Sequence, residues 1–135
     1  MYPKNSPNHR VALNAYQRAQ SSVMSPLQIE IMAFKRAAAK MKQAAENIKD
    51  FMGYVEALKF NQRLWTAIQV ELTGQDCRVP EPVRKKILNL SLYVDTQTIV
   101  AIIQPSASNL SSLINIDLSL ADGLFKGRKK VSALN

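Results

Sequence analysis

Cysteine, histidine, tryptophan and glycine are all scarce in this 135-residue chain, which has one, one, one and four of them. The single Cys77 excludes a disulfide framework within the chain and any multi-cysteine metal site. The lone histidine, His9, lies in a polar, proline-containing start, so a serine or cysteine nucleophile has no plausible base. The glycines, at 53, 74, 123 and 127, form no phosphate-cradling loop. The carboxylates are scattered, with no pair at metal-ligand spacing. These gaps argue against an enzyme and imply neither cofactor nor metal. No stretch approaches the roughly eighteen uncharged apolar residues of a membrane span, so membrane insertion is not expected. No apolar run of signal-peptide length follows Lys4 and Arg10, and the expected location is cytoplasmic.

Positive charge is what the chain has in excess, a net +8. A basic protein suggests nucleic acid, but the distribution argues against it. Residues 1–26 hold three basic residues and residues 125–135 hold four, with no acidic residue in either stretch. The remainder, 27–124, has eleven basic against ten acidic residues and is nearly neutral. The expected organisation is a flexible start at 1–9, one helical domain over 10–124 and a basic flexible tail at 125–135. After that start, residues 11–20 could form a short, weak helix with Ala12, Ala15, Tyr16 and Ala19 on one side, which needs a docking partner.

The central stretch is 51–72. Phe51, Tyr54, Leu58, Asn61, Trp65, Ile68 and Leu72 recur at alternating spacings of three and four, one stripe of a helix. Leu58, Trp65, Ile68 and Leu72 are read as core, and Asn61 as a buried seam residue hydrogen-bonded to a neighbouring helix. Gly74 marks the end of this helix. Upstream, Ser25-Pro26-Leu27-Gln28 opens a helix through Ile48, with Leu27, Ile31, Phe34, Ala38, Met41, Ala45 and Ile48 on one face. The phase breaks between Ile48 and Tyr54, where Asp50 can cap. A tight turn there makes 26–48 and 51–73 an antiparallel hairpin; one long bent helix is the alternative.

Pro80 and Pro82 open a third long helix, which Pro105 stops. Val83, Ile87, Leu90, Val94, Thr98 and Ala101 form one face; Leu88, Leu92, Ile99 and Ile103 form a second stripe roughly opposite. A helix apolar on two sides is either central or presents one side to a partner. Leu110 to Leu124 is ambiguous. Ile114, Ile116, Leu118 and Leu120 alternate as in a strand, while Leu113, Ile116, Leu120 and Leu124 share a helical arc. No second strand-like run offers a partner, so helix is preferred, with Ser108 or Asn109 as its cap. The expected fold is all-α, a single-domain bundle of four to five helices built on the hairpin.

Three segments in order, ALKFNQRLW (57–65), VPEPVRKKILNLSLYVDTQT (79–98) and SSLINIDLSLADGL (111–124), resemble the FlaF family of flagellar biosynthesis proteins. An Ala-Tyr at 15–16 and Ser-Pro at 25–26 extend the resemblance over most of the chain. The last segment departs from the family pattern, because here Asn115 precedes Asp117. The resemblance implies a protein that binds flagellin and supports its production and secretion, alongside the translational regulator FlbT. It carries no catalytic residues. The surface expected to meet a partner comprises Leu88, Leu92, Ile99, Ile103, Ile114 and Leu118. The alternative is an RNA-binding post-transcriptional regulator of flagellin synthesis. Aromatic residues are only 7% of the chain and leave few rings for base stacking, so nucleic acid is the less expected partner.

Overall fold

The computed structural model describes the backbone of residues 26–134 and the side chains of residues 30–123. The expectations for 1–9 and 11–20 lie outside the described residues. Four helices and no strand occur among them: α1 (Pro26–Glu46), α2 (Phe51–Thr73), α3 (Glu81–Ile103) and α4 (Ala107–Leu134). The fold is all-α.

The junctions follow from local chemistry. Asp50 caps α2, its carboxylate accepting the Gly53 amide at 3.1 Å. A Cβ on residue 53 would stand 2.5 Å from that carboxylate, so the glycine leaves the cap its room. This turn separates α1 from α2 and removes the single bent helix as an alternative. At the other end, α2 stops at Thr73 with Gly74 following, as the sequence suggested, and Gly74 has an ordinary φ of −71°. The Thr73 hydroxyl donates back to Gln69 O at 2.7 Å. Pro82 lies in the first turn of α3, with Glu81 beside the positive helix end.

The corner between α3 and α4 depends on one residue of α2. Pro105 has no N–H, so Ala101 O cannot receive the helical bond that residue 105 would otherwise donate. The buried Tyr54 hydroxyl donates to that carbonyl at 2.7 Å and accepts the Ser106 amide at 3.2 Å. Ser106 then caps α4, its hydroxyl accepting the Asn109 amide at 3.1 Å; Ser108 and Asn109 are not the cap. Tyr54→Phe should therefore lower stability by about 1–3 kcal/mol in urea melts, since two backbone groups lose their partner while packing is kept.

The core is drawn from all four helices. Ile31, Phe34, Ala38 and Met41 of α1 meet Tyr54, Ala57, Leu58 and Trp65 of α2, with Val94 and Ala101 of α3 and Leu110, Leu113 and Ala121 of α4. Alanines at 37, 38 and 44 are buried on α1 and let neighbouring backbones approach closely. The most extensive helix pairing is α1 with α4, not α1 with α2. Phe34 packs edge-on to Trp65, ring centroids 5.6 Å apart. Phe51, placed on the core stripe by spacing, is exposed; the buried stripe starts at Tyr54. On α4 the buried positions 110, 113, 114, 117 and 121 follow helical spacing, and the alternating pattern of 114–120 has no structural counterpart. The helix also continues to Leu134, through the basic run at 126–130.

Candidate protein-binding surface

Helix α3 joins the bundle through its smaller side chains. Ser91, Val94, Thr98 and Ala101 are buried, at spacings of three, four and three. The two hydroxyls are satisfied on their own helix, Ser91 Oγ donating to Leu88 O and Thr98 Oγ1 to Val94 O, each at 2.6 Å. That back-bonding lets polar residues occupy an inward face without partners on another helix. Gln69 Nε2 donates to Asp95 at 3.0 Å and pins α3 to α2; Gln97 Nε2 donates to Asn109 O at 3.0 Å and pins it to α4.

The larger apolar residues point outward. Leu92, Ile99 and Ile103 are 63%, 58% and 71% exposed, one stripe at seven- and four-residue steps. Tyr93, Val100 and Ile102 widen it. Between Ile87 and Gln104 the only charged residue is Asp95, which is already engaged by Gln69. Leu88, at the N-terminal end of the stripe, is half-buried. Contiguous exposed apolar surface of this kind is uncommon unless something covers it.

Two of the sequence-derived contact residues lie apart from the stripe. Ile114 is buried in the core of α4 and is unavailable to a partner; its apparent strand phase was misleading. Leu118 is at the surface, on α4 rather than α3. The expected core residues Leu58, Trp65 and Leu72 are buried, and Ile68 packs partly buried against the core. By length and composition alone α3 is also long and apolar enough to cross a membrane, and 22% of its most apolar window is buried, although no uncharged apolar stretch of that length was expected.

The core also holds buried polar groups, of which Asp117 was not expected from spacing. Trp65 Nε1 donates to Asp117 Oδ1 at 2.9 Å, joining α2 to α4 across 52 residues of sequence. Asp117 is fully buried and its Oδ2 has no partner among the described residues. Burial pushes its carboxyl up to about 7, with the Trp65 N–H acting in the opposite sense. Asn61 is fully buried as expected, but neither its Oδ1 nor its Nδ2 has a partner among the described residues. The expected interhelical hydrogen bond is not among those of the described residues, and the buried residues of α1, Ile31, Phe34, Ala37, Ala38, Met41 and Ala44, offer it no side-chain oxygen or nitrogen.

The chain is thus a small all-α domain whose third helix is apolar on both faces and covered on one. Residues 12–124 match the model of the family described as "Flagellar protein FlaF", and the chain belongs to that family. Neither the curated proteins nor the solved structures give a significant match. Asn61, Trp65 and Asp117 lie in the matched stretch and are buried inside the bundle.

Proposed function

We propose that this FlaF-family protein binds flagellin and supports its production and secretion for filament assembly, acting in the cytoplasm alongside FlbT. The observation that carries the reading is the uncovered apolar stripe Leu92, Ile99 and Ile103 on α3. An amphipathic helical segment of flagellin laid along α3 would cover that stripe and keep its own apolar face from other chains. Membership of a flagellar family supports flagellin as the partner over an unrelated helix. The stripe carries no cation, whereas contact with an RNA backbone needs several.

Co-expression with the cognate flagellin should give a stoichiometric complex on size exclusion that persists when salt is raised. Two folded proteins that elute separately would refute the reading. Sequence-selective retention of a flagellin transcript, without a flagellin complex, would favour the RNA-binding alternative.

A further inference from the structure

The near-neutral stretch 27–124 conceals a charge asymmetry. Residues 35–63 hold seven basic and three acidic residues, whereas residues 64–124 hold four basic and six acidic. The packing of α1 against α2 gathers part of that excess around one ring. Arg36 and Lys40 of α1 lie over the half-buried Phe60 of α2, the guanidinium carbon 5.6 Å and the ammonium nitrogen 5.0 Å from its centroid. The ring attracts both cations and restrains two otherwise flexible side chains. Beside them a crevice of about 360 Å³ opens, with Lys40, Gln43, Asn47, Phe60 and Arg63 among its lining residues. Two carboxylates also line it, and each is engaged: Asp50 accepts the Gly53 amide and Glu56 pairs with Lys59 at 3.9 Å. The ion pairs among the described residues are Lys59–Glu56 and Lys85–Glu81, so Arg36, Lys40 and Arg63 have no carboxylate partner there.

We propose that this crevice binds an acidic segment of a partner protein, whose carboxylates are received by Arg63, Lys40 and Arg36 and whose backbone meets the amides of Gln43 and Asn47. Charge complementarity points to this occupant, because cations without internal partners attract carboxylates, and a guanidinium can take one through two parallel N–H bonds. The lining favours a peptide over a nucleic acid. Asp50 and Glu56 repel a continuous phosphate backbone, whereas spaced carboxylates can avoid them. A base finds no free ring to stack on, since Phe60 is half-buried and already faced by Arg36 and Lys40. The crevice is also separate from the stripe on α3. The main helix pairings are α1 with α4, α1 with α2, α2 with α3 and α3 with α4, which puts α1 across the bundle from α3. Occupancy of one surface therefore does not decide occupancy of the other.

Fluorescence anisotropy of a labelled peptide that alternates glutamate with alanine, titrated with the full chain, tests the proposal. Binding should saturate and weaken as salt rises. K40E/R63E should weaken it at least about tenfold. K85E/K86E makes the same change of net charge at exposed positions of α3 and should leave the affinity within about twofold. Arg63 is exposed, so R63E alone should weaken binding without lowering the melting temperature, and its result stands even where the double variant fails to fold. Absence of binding in the unaltered chain overturns the proposal, as does an R63E variant that binds unchanged. Equal weakening by K40E/R63E and K85E/K86E also overturns it, because binding then follows net charge alone. A single-stranded RNA of mixed sequence that binds more tightly than the peptide, and is lost in K40E/R63E but not in K85E/K86E, overturns it too and assigns the crevice to nucleic acid.

Discussion

Asp117→Asn should make the protein more stable than the unaltered chain near pH 8 and leave it about equally stable near pH 4. Asp117 is buried, with one oxygen bonded to Trp65 Nε1 and the other unpartnered among the described residues. Its carboxyl titrates at about 7 in the fold, against 3.8 in the unfolded chain. The folded state therefore holds the proton more tightly. The stability this gives is fully present below about pH 3.8 and is lost as pH rises through about 7. At about 1.36 kcal/mol per pH unit, the interval sets an upper limit of about 4 kcal/mol on the loss. Asparagine keeps an acceptor for the tryptophan N–H and carries no charge to desolvate, so that pH dependence should vanish. Urea melts across pH on both proteins check this; parallel stability profiles would contradict it. Asp117→Ala should behave differently, costing about 1–3 kcal/mol near pH 4, because Trp65 Nε1–H is left without a partner, and less near pH 8, where it too removes the buried charge.

The second large effect is on binding. Leu92→Asp combined with Ile99→Asp should weaken the flagellin complex at least about a hundredfold. Each apolar side chain contributes about 1.5–3 kcal/mol when covered, and each new carboxylate would be buried without a partner at the contact. Both positions are more than half exposed and lie off the inward face of Ser91, Val94, Thr98 and Ala101, so the melting temperature should hardly change. Met52, 74% exposed at the start of α2, provides the control: Met52→Asp should leave binding intact. Equal weakening by the control would detach binding from α3. Unfolding of the α3 variant would instead mean that the stripe contributes to the bundle itself.

Much of this fold was legible because the spacing of apolar residues is a local signal. The threes and fours of α1 and α2, the Asp50 cap and the proline stop at 105 each act within a turn or two of chain. The third helix was legible as two faces, and Val94, Thr98 and Ala101 were placed on the inward one. What the apolar pattern did not mark is that Ser91 goes inside with them, its hydroxyl satisfied by Leu88 O on its own helix. Asp117 was illegible for a different reason. Its partner Trp65 is 52 residues away, and a pattern reading sends a carboxylate to solvent. Ser106 and Tyr54 were missed likewise, because a phenol on α2 completes a corner that proline left short of a donor. Asn61 was placed in the core by its phase, but phase gave no information about what would face it.

The proposed binding of flagellin through the apolar stripe of α3 has a calorimetric signature. Calorimetric titration of the cognate flagellin into the full chain, at several temperatures and at low and high salt, tests it most directly. The account predicts a one-to-one complex with a negative heat-capacity change, an affinity that survives high salt, and loss of both in the Leu92→Asp/Ile99→Asp variant. No binding, or binding that disappears as salt rises and is indifferent to those two substitutions, would contradict it.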